Sequence, residues 1–488
     1  MKRADFPVKS VPAAPAKRRT RKLANLPPYP DALVDFMMTD WAERDGRLPE
    51  PMPNAAAFAR RRRAISKAFP GETIVIPTGH EKVRANDTHY RFRAGSDFFY
   101  LTGNLEPDCV LVMEPKASGG HRDVLFVEPN PGRKDKTFFT DRNKGELWVG
   151  PRLGVAESRA RFGVHACRAL GELHAYLRSL DPQKTRTLRE FSEFVDRTVK
   201  ARKKADAELA ACLGEIRLYK DDLEIAELEA VVASTKRGFE DVIKKLRTAK
   251  NEREVEGIFN LRARVEGNDV GYGTIAASGA NACILHWTQN DARLKKGDLL
   301  LLDAGVEGRA LYTADITRTI PISGRFSKEQ REIYDLVAES QRAAFAATKP
   351  GNDFMEPNRV AQRVLAEGLV KLGILKDADH ATLPEQQLQK RYTLLNVSHM
   401  LGIDVLDCAK ARQVVYRYGK LMPGMVLTIE PGLYFQPDDL TVPEKYRGIG
   451  VRIEDDVLVT ETGMRNLSSS IPRKSQDVEA WIAKLWAE

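Results

Sequence analysis

Residues 299–320 read LLLLDAGVEGRALYTADITRTI. The leucines Leu299 to Leu302 run without interruption into Asp303, and Gly305 follows. An apolar run of this length closed by a turn residue reads as a buried strand. Ala314 to Ile320 forms a second strand-like run that carries Asp315 inside it. The segment between them is short enough for a hairpin. Pairing the runs brings Asp303 and Asp315 together although they are twelve residues apart. A carboxylate buried at the end of an apolar run is costly unless it is paired or metal-bound.

The theme recurs further along. Asn396-Val-Ser-His399-Met-Leu-Gly402 places an imidazole beside a glycine turn. Gly424-Met-Val-Leu-Thr-Ile-Glu430-Pro-Gly432 is another apolar strand carrying an acid, stopped by Pro-Gly. Gly450-Val-Arg-Ile-Glu454-Asp455-Asp456-Val-Leu-Val459 reads as one more strand with acids in an apolar setting. Singly, each has an ordinary explanation: a salt-bridged strand carboxylate, or a core histidine. Two Asp, two Glu and one His, each in a strand or tight-turn context, are harder to explain that way. Oxygen-rich ligation with one imidazole suits a pair of hard or borderline divalent ions, Mn²⁺ first, with Co²⁺ or Fe²⁺ as alternatives. Two such ions polarise a carbonyl and supply a hydroxide.

Outward from this region, the chain of 488 residues is long enough for two or three domains. It is 42% hydrophobic and 30% charged, as a soluble globular protein should be. No run of about 18 apolar residues suggests a membrane span. The basic N-terminus lacks the apolar core of a secretory signal, so the expected compartment is the cytoplasm. Five widely spaced cysteines without a CxxC pair argue against disulfides and structural zinc. The net charge of +9 is concentrated early, in Lys17, Arg18, Arg19, Arg21, Lys22 and Arg60 to Arg63. It reads as a solvated arm, because no nucleic-acid-binding motif accompanies it.

Residues 1–55 form a basic, Pro/Ala-rich extension, expected to be disordered over 1–30 and to wrap the next domain over 31–55. Phe58 to Phe69 reads as a helix; Thr73 to Pro77, Cys109 to Met113 and Asp123 to Val127 read as strands. Alternating strands and helices make 56–218 an α/β domain. From Lys220 to Gly267 two amphipathic helices are expected, with Asp221 or Asp222 capping the first and Asn251 the second. Residues 219–488 are then an α+β catalytic domain. A polar surface insertion, holding the spare His380, is expected over 376–391.

The segments SDFFYLTGNLEPDCVLVMEP, GYGTIAASGANACILHWTQND, LLLDAGVEGRALYTADITRTIPISGRF, LMPGMVLTIEPGLYF and YRGIGVRIEDDVLVTETGMRNLS resemble the M24 peptidases, specifically the bacterial Xaa-Pro aminopeptidases. The resemblance spans about 56 to 485. It implies a C-terminal pita-bread domain preceded by a smaller creatinase-like α/β domain, and a homodimer or homotetramer. By that resemblance Asp303 is a ligand of the second ion, Asp315 and Glu454 bridge both, and His399 and Glu430 hold the first. Glu430 doubles as general base, His286 binds substrate, Arg452 sits beside the site, and Phe99 reaches a neighbouring subunit.

Two positions depart from the family pattern. Its His-Gly-x-Ser-His stretch has Leu395 and Asn396 here at the first two places, and a later histidine is Leu406. Leucine can neither donate nor accept a proton. The leading expectation is metal-dependent release of an N-terminal residue that precedes proline. The second is a repurposed pita-bread metalloenzyme with non-peptidase, oxidative chemistry on a small amino-acid-like molecule. A non-catalytic binding role is the third, since fold alone does not dictate function.

Overall fold

The computed structural model describes residues 29–376 and 386–488. The basic arm before residue 29 and the stretch 377–385, with His380, lie outside the described residues. The segment that follows the arm lies along the N-terminal domain. Trp41 stacks on Phe139 with ring centroids 6.1 Å apart. Arg44 pairs with Glu146, and the Met52 amide bonds the Arg161 carbonyl at 2.9 Å.

Helix α1 (Ala55–Ala68) carries the arginine run. The sequence reading made these arginines a solvated arm, and the structure corrects it. Helical spacing turns Arg61 and Arg62 inward, where both are buried. Arg62 Nε donates to Asp123 at 2.8 Å. Arg61 meets Asp221 and Glu224 and lies over the Tyr100 ring, 4.3 Å from its centroid. Buried guanidinium groups persist where carboxylates and aromatic faces replace their water.

Strands β1 (Thr73–Pro77), β2 (Val110–Pro115), β3 (His121–Val127), β4 (Ala166–Ala169) and β5 (Thr185–Thr187) make the N-terminal sheet, in the order β4-β3-β2-β1-β5. β1 is antiparallel to β2 and parallel to β5. All of β1 is buried, as expected of a central strand covered on both faces. Phe99 belongs to this core. It is 4% exposed and packs edge-on against Phe58. The expectation that it reaches a neighbouring subunit is therefore corrected: apolar burial inside its own domain claims the ring.

Two long helices follow, α2 (Asp222–Lys245) and α3 (Glu252–Glu266). Asp221, not Asp222, caps α2 in a reciprocal box with Glu224, at 3.0 Å both ways. Asn251 caps α3 through the Glu254 amide at 3.0 Å. The helices meet through Phe239 and Phe259, 5.9 Å apart, and lie on a sheet of β6 (Ile275–Ser278), β7 (Leu299–Ala304) and β8 (Ile316–Pro321), ordered β8-β7-β6. Helices α4 (Lys328–Ala347) and α5 (Glu356–Lys371) pair with each other and join the same apolar core through Ile333, Tyr334, Val337, Leu365 and Leu369. Two further sheets complete the site. Strand β9 (Val426–Ile429) pairs with β12 (Asp455–Val459), and β10 (Gly432–Tyr434) with β11 (Gly450–Arg452).

The run Gly450 to Val459 is thus two strands in two sheets, not one. The chain leaves one sheet after Arg452 and joins the other at Asp455, and Glu454 sits at the break. Gln341 of α4 stitches this corner. Its Nε2 lies 3.0 Å from the Ile429 carbonyl, 3.1 Å from that of Ile453 and 2.8 Å from Asp455. The first two residues directly precede Glu430 and Glu454. Among the described residues, all five cysteines are free, and no helix is long and apolar enough to cross a membrane.

Candidate metal centre

The hairpin between Asp303 and Asp315 forms as the spacing implied. β7 and β8 pair antiparallel, with Asp303 opposite Thr317. On its other edge Asp303 stands opposite Ile275 of β6. Each oxygen of Asp303 has a donor: Tyr272 Oη to Oδ1 at 2.7 Å and Arg452 Nη2 to Oδ2 at 2.5 Å. Asp315 enters just before β8, and its amide donates to Asp456 Oδ2 at 3.2 Å.

Two further acids arrive from the ends of other strands. Glu430 follows β9, its amide bonded to the Val397 carbonyl at 2.8 Å. Glu454 Oε2 accepts from Thr317 Oγ1 at 2.6 Å. Between them stands His399, whose Nε2 lies 3.3 Å from both Asp315 Oδ2 and Glu430 Oε1. Reciprocal contacts with Thr428 fix the histidine's backbone. Asp315, His399 and Glu454 each offer one ligand atom, and these atoms lie within 4.8 Å of one another.

The cluster is buried and carries more negative charge than its protein partners neutralise. Burial pushes Glu430 up to about 7, with Asp315 adding to the rise and the cations of His399 and Arg452 opposing it. Glu454 is held well above the usual carboxylate range by burial, then by Asp315, Glu430 and Asp303. Asp303 is raised by burial against the pull of Arg452. For His399 burial disfavours the charge, but Asp315 and Glu430 overrule it and raise the imidazole to about 9. Asp456, fully buried beside Asp315, keeps Oδ1 without a partner. Acids gathered this closely share protons when alone. A divalent cation removes the conflict, and the donor set of oxygens plus one imidazole fits one.

All five nominated ligand residues therefore converge, and Arg452 joins them through Asp303. His286 does not touch them. It is exposed on the loop after the turn Gly279–Cys283 and, among the described residues, makes no hydrogen bond or ion pair. Leu395 is half-buried. Leu406 is exposed and lines a cleft of about 480 Å³ between the two halves of the chain, with Phe92, Arg93 and Phe191. Sequence reading missed Tyr272, Tyr434 and Thr317. Tyr434 Oη lies 3.0 Å from Arg452 Nη1. The signal for Tyr272 was present, an aromatic between Gly271 and Gly273 one strand from Asp303. Tyr434 and Thr317 sit in strands where such residues are ordinary.

Comparison with known proteins follows the same outline. Residues 226–461 match metallopeptidase family M24, and residues 58–188 match the aminopeptidase P N-terminal domain. Xaa-Pro aminopeptidase 1 of Streptomyces coelicolor is 50% identical over 96% of this chain and 95% of its own length. The Xaa-Pro aminopeptidase of Escherichia coli is 37% identical over 87% of this chain and 96% of its own. Among solved structures, E. coli aminopeptidase P with the inhibitor Pro-Leu superposes with a TM-score of 0.78 at 34% identity, covering 90% of this chain and 100% of that one. The expected architecture, a pita-bread domain preceded by a smaller α/β domain, is the one these proteins share.

Proposed function

The chain belongs to metallopeptidase family M24, and from that premise we propose that it releases the N-terminal residue from peptides with proline in second position. The observation that carries the proposal is the convergence of Asp303, Asp315, His399, Glu430 and Glu454 in one buried, charge-unbalanced cluster. We propose that these residues hold two divalent cations. Oxygen donors with one imidazole suit Mn²⁺, with Co²⁺ or Fe²⁺ as alternatives. Bound there, the cations supply Lewis-acid polarisation of the scissile carbonyl and a more acidic water.

The side chains do the rest. Glu430, whose Oε1 lies 3.3 Å from His399 Nε2, would take a proton from the attacking water and return it to the leaving amine. Arg452 and Tyr272 fix both Asp303 oxygens, yet each oxygen retains a lone pair for a ligand. Thr317 fixes Glu454 in the same way. His286, exposed on its loop, is proposed as the side chain that meets substrate at the site's mouth. The exposed run Leu147, Trp148 and Val149 supports a homo-oligomeric working unit. Unpaired cysteines suit a reducing compartment such as the cytoplasm.

Non-peptidase chemistry, the second expectation, rested on Leu395 and Leu406. It has less support than the peptidase reading, because relatives named Xaa-Pro aminopeptidase cover nearly the whole chain. The test is direct. Protein loaded with Mn²⁺, Co²⁺ or Fe²⁺ should release the first residue from Xaa-Pro peptides, without consuming oxygen. Oxygen uptake with intact peptide would overturn the proposal.

A further inference from the structure

We propose that Glu252 is a positioning residue, a carboxylate clasp that fixes the loop from which His286 meets substrate. It rests on the reading of His286 given above.

Glu252 is the first residue of α3, and its side chain is fully buried. Its Oε1 accepts from the Ser278 amide at 2.7 Å, Ser278 Oγ at 2.8 Å and Asn281 Nδ2 at 3.0 Å. Its Oε2 accepts from Trp287 Nε1 and from the Ala292 amide, both at 2.9 Å. Every one of these donors is neutral. Burial raises the carboxyl's pKa, but the hydrogen bonds from Ser278, Trp287, Ala292 and Asn281 outweigh it and the group is held below its ordinary value. The charge is thus retained by oriented dipoles, to which the start of α3 adds its own.

The donors enclose His286. Ser278 ends β6, and Ala292 closes the loop that leaves it; the Glu252 amide also donates to the Ala292 carbonyl at 3.0 Å. Asn281 and Trp287 lie inside the loop, on either side of His286. Bonds to Ser278 and Ala292 would suffice to seat α3 on the sheet. Those to Asn281 and Trp287 serve to fix the loop itself. The Trp287 ring also packs in a small apolar cluster with Ile275, Leu301 and Tyr434. Ile275 stands opposite Asp303, and Tyr434 bonds Arg452. The loop is therefore referenced to the same strands that place the metal-site acids, while His286 has no partner among the described residues. Misplacing a substrate-contacting group by about 1 Å can cost on the order of 10²-fold in rate.

The experiment is a double-mutant cycle on the metal-loaded enzyme with an Xaa-Pro peptide. Glu252→Gln keeps the shape but points an amide N–H₂ at donors. It should lower kcat/KM about tenfold, mainly through KM, and the gentler Trp287→Phe about threefold. In a His286→Ala background both should be nearly silent. Additive losses with a costly His286→Ala would make Glu252 purely structural and overturn the clasp alone. A silent His286→Ala would instead overturn the reading of His286, and the proposal with it. Apart from activity, the Trp287 indole N–H resonance, assigned with Trp287→Phe, should move upfield in Glu252→Gln. An unmoved resonance would show that the carboxylate does not hold the ring. If Glu252→Gln fails to fold, the Trp287→Phe cycle decides alone: losses additive with His286→Ala overturn the clasp.

Discussion

Two of the clusters of buried charge in this molecule are built on opposite principles. One joins the two halves of the chain. Arg217 meets Asp97 at 2.9 Å, Asp404 at 2.8 Å and Asp407, while Lys220 Nζ meets Asp407 at 3.0 Å and the Arg217 carbonyl at 2.7 Å. Here cations and anions interleave. Although burial pushes Asp407 up, Arg217 and Lys220 bring it down to about 2. The other cluster is the candidate metal centre, where acids outnumber cations and Glu430 is driven up to about 7. The balanced cluster pairs each of its acids with a cation of the chain itself and holds structure. The unbalanced one is complete only with a ligand of positive charge. Burial is common to both, so burial alone does not mark function; the sign and sum of the charges do.

The sharpest break in that comparison comes from removing one site acid. Asp315→Asn or Glu454→Gln should reduce peptide hydrolysis by at least about 10³-fold, with loss of bound metal on dialysis. The fold should survive, because the variant relieves repulsion. Full metal retention would sink the account of the site.

Asp407→Asn should do the reverse. It strands Lys220 and leaves Arg217 short of a partner, at a cost of about 3–5 kcal/mol. The unfolding temperature falls, while metal content per folded molecule is unchanged. Equal loss of metal and stability would erase the distinction between the clusters.

A smaller effect tests the residue between them. Leu406 adjoins Asp407 and is seven positions from His399. Leu406→His restores a proton donor and should raise kcat/KM roughly tenfold. Being exposed, it should change stability by no more than about 0.5 kcal/mol. A neutral result on activity would remove any role for this position.

The smallest effect is one of pH. Without metal, Glu430 in the folded chain keeps its proton up to about 7, well above its ordinary 4.5. Stability from this group is full below 4.5 and is lost as pH rises through 7. Metal-stripped protein should therefore melt a few degrees lower at pH 8 than at pH 5. Metal-loaded protein should lack that slope, since the bound carboxylates no longer hold protons. A flat profile without metal would mean that Glu430 is not crowded.

Much of the site could be read before any coordinates. The hairpin of Asp303 and Asp315 follows from apolar runs and a short connection. The caps Asp221 and Asn251 follow from the backbone donors that a helix start leaves open. Other features were hidden. The arginines of α1 looked like surface charge until Asp123, Asp221 and Glu224 came in from distant segments to neutralise them. Phe99 looked available because its sequence context does not reveal Phe58 lying against it. The break at Glu454 was invisible because strand pairing, not local pattern, decides where a strand changes sheets.

The sequence by itself determined which residue types had to be buried at strand ends, and with them the five side chains proposed to hold metal. That information is local, carried by periodicity, turn residues and the cost of an unpaired buried carboxylate. Only tertiary structure decided which charges found partners. Arg61, Arg62, Arg217, Tyr272 and Glu252 acquire their roles from groups far away in the chain, and a charge's partner is fixed by packing in three dimensions rather than by its neighbours in sequence.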